Sequence, residues 1–320
     1  MRLSRRGFLA AGLFGAASLA TPVFAQTKLS VVATTGMIAD TVQRIGGDHV
    51  DVQGLMGPGV DPHSYRQTRT DILAMTRADL ILWHGLYLEA QMEEVLQKLG
   101  ARKPVFAVTD QIPQDLLRQH PDYDSKFDPH VWMVPALWSH VATRIRDILI
   151  EQRPELSAEF QQNANLFLSD LQKMQGFAET TLATIPQEAR VLVTAHDAFS
   201  YFGRDFGFDV MGIQGISTDS EAGLNRIGEL VDILVERKVS AVFVESSVSD
   251  RSIRALKEGA AARGHEVLIG GELFSDAMGT PGTYEGTYLG MIDHNITVIA
   301  SALGGSAPAR GLNGKLSAGF

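Results

Sequence analysis

The chain has 320 residues, of which 45% are hydrophobic and 20% are charged, a composition typical of a globular protein with one large or two medium domains. Its formal net charge of -9 argues against nucleic acid and against an anionic membrane surface as partners. Because it contains no cysteine, disulfides, thiolate metal ligands and a cysteine nucleophile are excluded.

The first 25 residues have the pattern of an export signal. Ser4-Arg5-Arg6-Gly7-Phe8-Leu9 is a twin-arginine motif, an apolar run follows to Ala20, and Val23-Phe24-Ala25 offers small residues to a signal peptidase. We therefore expect residues 1–25 to be removed and the mature protein to be periplasmic. We expect no lipid anchor, since there is no cysteine to carry one. The alternative is an ordinary secretory signal that contains two arginines by chance.

Residues 26–150 alternate short strands with helices. Strands are predicted at 29–34, 50–55, 79–83 and 104–108, and helices at 37–45, 68–76 and 88–99. This alternation predicts an α/β lobe with a mostly parallel sheet. The polar stretch 110–130 contains three prolines and predicts a loop, and a helix is expected over 135–152.

The longest uninterrupted helical pattern of the mature chain runs from residue 154 to residue 184. Its apolar residues recur at steps of three and four, which is the period of an amphipathic helix. At 1.5 Å per residue such a helix would be roughly 45 Å long. That length suits a rigid connector between two lobes, and we assign residues 151–187 to it.

Residues 188–304 repeat the strand–helix alternation and predict a second lobe. Strands are expected at 190–194, 208–211, 241–244 and 266–269, and helices at 198–206, 221–237, 250–263 and 284–303. Residues 305–320 are rich in glycine, serine and alanine and predict a flexible tail. The predicted fold class is therefore α/β, with two lobes of mostly parallel sheet joined by one long rigid helix.

Four side chains have a context that suits metal binding: His63, His130, His196 and Asp276. His63 and His130 each end an Asp-Pro-His triplet, in which proline fixes the backbone just before the ring. His196 and Asp276 each follow a predicted strand, and ligands bind beyond the carboxyl ends of parallel strands. The intervals of 67, 66 and 80 residues are too long for a zinc finger. If the lobes face each other, the four converge in the cleft between them.

Acidic residues near these histidines have two possible roles. Asp61, Asp128 and Asp197 either orient the imidazoles as hydrogen-bond acceptors or cap the helices that follow. Glu245 ends another strand and is a fifth candidate for the site; the alternative is a strand-end carboxylate bonded to a neighbouring serine. The other histidines fit structural positions: the surface for His49, His120 and His265, apolar surroundings for His84 and His294, and a helix face for His140.

Taken together, these motifs resemble the metal-binding solute-binding proteins of bacterial ABC importers, the TroA-like zinc/manganese group with a helical backbone. The resemblance is carried by Val60-Asp61-Pro62-His63, Asp128-Pro129-His130-Val131-Trp132, Ala195-His196-Asp197-Ala198-Phe199, Glu245-Ser246-Ser247 and the stretches 270–279 and 285–288. It implies two lobes joined by one helix, with one divalent metal between them held by His63, His130, His196 and Asp276. It also implies a non-enzymatic protein, expected to be a monomer, that delivers its ion to the permease of an ABC importer.

The expected cargo is one Zn²⁺ or Mn²⁺ per chain. Imidazole-rich sites favour zinc, while a bidentate Asp276 would accommodate manganese. Zinc-scavenging members of the group often have a long histidine-rich loop before the second ligand, but residues 110–129 contain only His120. Dedicated manganese members often have glutamate where this chain has His196. The sequence leaves both metals open.

Two other functions agree with fewer features. A secreted zinc-dependent hydrolase would keep an open coordination position for water, usually beside three protein ligands. The sequence has no His-Glu-x-x-His motif, and Glu245 is its one candidate base. A binding module for a small organic solute would line its cleft with aromatic and polar side chains instead of four metal ligands.

Overall fold

The computed structural model describes residues 27–120, 123–220 and 223–317, so the expected export signal lies outside the described residues. Within these ranges the chain forms two α/β lobes joined by a long helix, which confirms the predicted fold class. None of the helices in these ranges is long and apolar enough to cross a membrane.

The N-terminal lobe is a parallel sheet with its helices packed around it. Its strands are β1 (Leu29–Ala33), β2 (Val50–Gly54), β3 (Leu80–Trp83) and β4 (Val105–Ala107), and its helices are α1 (Gly36–Gly46), α2 (Arg69–Arg77), α3 (Glu93–Gly100) and α4 (Pro135–Gln152). The strand order is β2-β1-β3-β4, and each neighbouring pair is parallel. Because the strands run in one direction, their carboxyl ends meet at a single edge of the sheet.

The helix that joins the lobes is α5 (Ser157–Leu182), which has 26 residues. At 1.5 Å per residue it is about 39 Å long. It packs against α1 and α4 of the first lobe and against α9 (Tyr288–Ala302) of the second. A single apolar core therefore continues through α5 from one lobe into the other.

The C-terminal lobe repeats the parallel arrangement. Its strands are β5 (Val191–Thr194), β6 (Asp209–Gly212), β7 (Ala241–Glu245) and β8 (Leu268–Leu273), and α6 (Ser200–Phe206), α7 (Leu224–Glu236), α8 (Arg251–Ala262) and α9 complete it. The pairs β5–β6 and β7–β8 are parallel, and β5 lies beside β7. The carboxyl ends of these strands again gather at one edge.

The last strand is longer than the sequence predicts. The sequence places its end at residue 269 and treats the following glycines as a loop, whereas β8 continues to Leu273. A Cβ on Gly270 would lie 2.8 Å from the Cβ of Ala302 and 2.8 Å from the ring of Phe243. Gly270 therefore lets α9 and β7 approach the strand closely and does not end it.

The segment after α9 folds back onto the C-terminal lobe. The sequence predicts a flexible tail over 305–320, but in its described part the side chain of Leu316 is fully buried. The Leu312 N–H donates to Asp293 Oδ1 at 2.8 Å, and the Ser317 N–H and O–H both donate to Glu285 Oε1 at 2.7 Å. The partners of these donors are buried acids on or just before α9, which composition alone does not reveal.

We predict that Leu316→Ala lowers the free energy of unfolding by about 2–4 kcal/mol, because it empties a buried leucine site. Leu312→Ala is the matched control, since that side chain is 36% exposed and should cost much less. Urea unfolding of the two variants measures the difference. Equal, small losses would mean that the tail is not packed in solution.

Candidate metal centre

Three imidazoles and one carboxylate meet in the cleft between the lobes. His63, His130, His196 and Asp276 each offer a donor atom, and these atoms all lie within 4.8 Å of one another. We call this set the histidine–aspartate cluster. All four side chains are buried, with at most 4% of any residue exposed. The structure thus brings together the four residues singled out from the sequence.

Each residue of the cluster comes from the end of a strand or from a loop at the cleft. His63 lies in the loop after β2, and His130 comes directly before a short 3-10 turn that leads into α4. His196 is two residues beyond the end of β5, and Asp276 is three residues beyond the end of β8. The N-terminal lobe therefore supplies two donors and the C-terminal lobe supplies the other two.

The separations in the cluster suit a single small ion. Nε2 of His130 lies 3.3 Å from Nε2 of His63 and 3.3 Å from Nε2 of His196. The two oxygens of Asp276 lie 3.5 Å from the His130 Nε2 and 3.3 Å from the His196 Nε2. A tetrahedron with metal–nitrogen bonds of about 2.05 Å has edges of about 3.3 Å. Since the two carboxylate oxygens face different rings, Asp276 could also bind one ion through both.

Two carboxylates hold the histidine rings from behind. The Nδ1 atom of His130 is 2.7 Å from Asp128 Oδ1, and the Nδ1 atom of His196 is 2.5 Å from Glu245 Oε2. The same carboxylates accept the backbone N–H groups of their histidines, both at 2.9 Å. Each bond turns Nε2 toward the centre of the cluster, an arrangement common for histidines that bind metals.

Of the two acids that orient a histidine ring, only Asp128 is assigned this role from the sequence. Asp128 orients His130, but Asp61 accepts the His63 N–H at 2.9 Å and Asp197 accepts the Ser200 hydroxyl at 2.9 Å, so both stabilise local turns. Glu245 is outside the histidine–aspartate cluster and is bonded to His196, not to a neighbouring serine. That pair is 49 residues apart, and the only signal in the sequence is that both lie at strand ends.

Of two other histidines near the cleft, His84 agrees with the sequence interpretation and His120 does not. His84 is fully buried, as expected of a core group, and its Nε2 is 2.7 Å from the carbonyl oxygen of Pro129, next to His130. Burial lowers the pKa of His84 to about 3, so its ring is neutral and donates through Nε2. His120, which the sequence placed on the surface, is only 7% exposed and packs against the ring of Tyr123.

The three imidazoles of the cluster have different proton affinities. Burial lowers the pKa of His63 from its ordinary 6.5 to about 3. Burial also acts to lower the pKa of His130, but the charges of Asp128 and Asp276 outweigh it and raise the value to about 9. At neutral pH, His63 is therefore a neutral ring and His130 carries a proton when no ion is bound.

The remaining two members of the cluster form a buried ion pair. Burial opposes the charge of His196, but Asp276 and Glu245 raise its pKa well above the ordinary value. Burial likewise opposes ionisation of Asp276, yet His196 and His130 hold its pKa well below the usual range. In the absence of an ion, the protons on His130 and His196 thus stabilise the buried carboxylate of Asp276.

One oxygen of Asp276 favours a cation directly. Its Oδ1 atom is buried and has no hydrogen-bond partner among the described residues. Its nearest charged neighbour is the His130 Nε2 atom at 3.5 Å, and a cation bound at the centre of the cluster would be a closer partner for this buried oxygen. Three imidazole nitrogens and one carboxylate form a donor set that suits zinc, and the oxygen also admits manganese.

We predict that binding of Zn²⁺ at pH 7 releases about two protons per ion, from His130 and His196, because ligating imidazoles must be deprotonated. Apparent affinity should rise by about two powers of ten per pH unit between pH ~6 and ~8. His63, with its pKa near 3, should add nothing to this slope. Calorimetry in buffers of different ionisation enthalpy measures the number of protons released.

Metal affinity should rise with pH because the pKa values of His130 and His196 are both raised. A group with a raised pKa keeps its proton until the pH passes that value, so competition between protons and the metal extends above pH 7. Three rings with ordinary histidine pKa values would instead show affinity that levels off above pH ~7. A heat of binding that does not depend on the buffer would contradict the assigned protonation.

Comparison with known proteins gives concordant matches over almost the whole chain. Residues 31–302 match the family described as "ZnuA: Zinc-uptake complex component A periplasmic". The chain is 48% identical over 306 residues to "Manganese-binding lipoprotein MntA" of Bacillus subtilis, a match that covers 93% of this chain and 99% of that protein. It is 46% identical over 281 residues to "Zinc-binding protein TroA" of Treponema pallidum, covering 87% of this chain and 90% of that protein. The solved structure of periplasmic zinc binding protein TroA from Treponema pallidum superposes with a TM-score of 0.83, covering 86% of this chain and 99% of that one.

Proposed function

This chain belongs to the ZnuA family of periplasmic metal-uptake proteins, and we propose that it captures one Zn²⁺ or Mn²⁺ between its lobes and delivers the ion to an ABC importer. The observation that carries this proposal is the buried histidine–aspartate cluster, whose imidazoles direct Nε2 toward a common centre. The family resemblance seen in the sequence is confirmed by the match to the family and by the two relatives.

We propose that His63, His130, His196 and Asp276 are the ligands of this ion. Four of the donor pairs are 3.3–3.5 Å apart and all four donors lie within 4.8 Å of one another, which leaves room for a single ion and none for an organic solute. Four protein donors also differ from catalytic zinc sites, which keep a position open for water. Glu245, the one candidate base for a hydrolase, has both oxygens bonded to His196. These contacts favour a carrier over an enzyme.

Both metals remain in the proposal, with zinc bound more tightly. Affinity for a shared site of nitrogen and oxygen donors follows an order that places zinc above manganese. Manganese is supported by the name of the Bacillus subtilis relative and by the two oxygens of Asp276 that face the cluster. Which ion is carried then depends on the supply of metal as well as on affinity.

The two lobes and the connecting helix have separate roles in this proposal. We assign residues 26–150 and 188–304 to the metal-binding lobes and residues 151–187 to the backbone between them. Because α5 packs against helices of both lobes, the lobes can tilt only slightly, and the partner permease would engage them together. In this proposal the protein acts as a monomer, since one chain supplies all four donors.

We also propose export by the twin-arginine route and a mature protein that is free in the periplasm. The motif at residues 4–9 supports the route, and the absence of cysteine from the sequence argues against a lipid anchor. In this respect the chain differs from the Bacillus subtilis relative, which is a lipoprotein by name.

Alanine substitution of each ligand should weaken metal binding about 100-fold or more, because a buried donor is lost from a four-ligand shell. The variants are His63→Ala, His130→Ala, His196→Ala and Asp276→Ala, with His140→Ala on α4 as the control. Competition titration of chelator-stripped protein with Zn²⁺ and Mn²⁺ measures the loss. Full affinity in any one of the four removes that residue from the site, and a wild type that binds neither ion refutes the function.

Replacing Arg5 and Arg6 together by lysine should leave unprocessed precursor in the cytoplasm, because the twin-arginine route reads both side chains. Arg2→Lys is the matched control and should be exported normally. Cell fractionation followed by immunoblotting separates the two results. Normal periplasmic levels of the double variant would assign the protein to the general secretory route.

A further inference from the structure

A tryptophan links the two ligand-bearing segments that come from opposite lobes. Trp132 is fully buried and lies two residues after His130. Its indole Nε1–H donates to the carbonyl oxygen of Ser275 at 2.7 Å, and Ser275 directly precedes Asp276. One hydrogen bond between residues 143 positions apart therefore connects the backbone near His130 to the backbone near Asp276.

The backbone on the donor side of this bond is held in place by further side chains. The Tyr201 hydroxyl donates to the carbonyl of Asp128 at 2.8 Å, and the Tyr288 hydroxyl donates to the carbonyl of Trp132 at 2.9 Å. Both tyrosines are buried residues of the C-terminal lobe. The His130 segment belongs to the N-terminal lobe in sequence, yet three hydrogen bonds, including that of the indole, fix it to the other lobe.

The acceptor side is equally constrained. The side chain of Asn295 bonds both the N–H and the carbonyl of Phe274, at 2.9 and 2.7 Å. The Ser275 hydroxyl lies 2.9 Å from the Ser247 hydroxyl. Because the backbone is fixed on both sides, the hydrogen bond from the Trp132 indole to Ser275 sets the distance between the segment that contains His130 and the segment that contains Asp276. It also lies close to the site, since the Trp132 and His130 ring centroids are 5.0 Å apart.

We propose that Trp132 is a positioning residue of the metal site, whose hydrogen bond to Ser275 fixes the placement of Asp276 relative to His130 and thereby favours zinc over manganese. The inference rests on the proposed function, since it concerns how the same four ligands select their ion. The fixed separations match a zinc tetrahedron with short bonds. If this hydrogen bond is lost, the carboxylate of Asp276 can shift, and the four donors then favour the four-coordinate Zn²⁺ less strongly over Mn²⁺.

The test compares two fully buried tryptophans whose indole N–H groups donate to different acceptors, and phenylalanine keeps an aromatic ring where Trp138 stacks on Tyr288 and His84. Trp132→Phe keeps an aromatic ring in the core and removes the N–H. Trp138→Phe makes the same change at another fully buried tryptophan, whose Nε1–H donates to Thr41 Oγ1 at 3.0 Å, away from the cluster. Competition titration gives the affinity for Zn²⁺ and for Mn²⁺, and thermal unfolding of the metal-free proteins compares the structural cost of the two changes.

We expect Trp132→Phe to weaken Zn²⁺ binding about 10- to 100-fold, the range seen when groups that orient metal ligands are removed. The ratio of zinc affinity to manganese affinity should fall in this variant and stay at the wild-type value in Trp138→Phe. A general loss of stability would not change that ratio. Wild-type affinity in Trp132→Phe, or an equal loss in both variants, would overturn the proposal.

If Trp132→Phe does not fold, a second variant tests whether Trp132 affects the choice between Zn²⁺ and Mn²⁺. Tyr288→Phe keeps both tryptophans and removes only the hydroxyl that fixes the Trp132 carbonyl. A reduced zinc-to-manganese ratio in Tyr288→Phe supports the proposal, and an unchanged ratio refutes it. The proposed function is tested separately by the wild type in the same titration, because a wild type that binds metal leaves the function standing whichever result the variants give.

Discussion

The buried carboxylate of Asp276, surrounded by three imidazoles, is the interaction on which the rest of the structure depends. A carboxylate without water is costly to bury, and here two protonated rings offset that cost. Asp128 and Glu245 in turn stabilise the charges on those rings. The balance exists only when loops from both lobes are in place, so the formation of the site and the docking of the lobes are coupled.

The same balance explains how the site can hold an ion and still release it. A divalent cation replaces two protons at the centre, so the net charge of the buried cluster does not change when the ion enters. Because the donors are divided between the lobes, a small tilt would separate atoms that now lie 3.3 Å apart. Helix α5 limits such a tilt, since it packs on both lobes. Capture and release are therefore consistent with modest motion.

The segment 128–132, which contains His130, connects the two lobes at the metal site. Its backbone is held by Tyr201, Tyr288 and the indole of Trp132, all of which connect it to the C-terminal lobe. His63 comes from a different loop, whose connection to that lobe includes the hydrogen bond from the Thr218 hydroxyl to Asp61, at 2.6 Å. Both ligand loops of the N-terminal lobe are thus hydrogen-bonded to the C-terminal lobe, while the carbonyl of Pro129 is also bonded to His84 of the N-terminal lobe.

The sequence by itself determined the α/β class, most of the helices and strands, and the four residues that meet in the cleft. It could do so because these features are local: the alternation of apolar residues follows the period of each element, and the Asp-Pro-His triplets and strand ends are continuous in the chain. The helix predicted at 135–152 is observed as α4 with the same bounds.

Only the tertiary structure decided how these parts act together. The pairing of Glu245 with His196 and of Trp132 with Ser275 joins residues 49 and 143 positions apart, and no local pattern encodes such distances. The continuation of β8 through Gly270 and the burial of Leu316 depend on what packs against them. Three histidines that look alike in the sequence also differ in pKa, because burial and neighbouring charge are properties of the folded site.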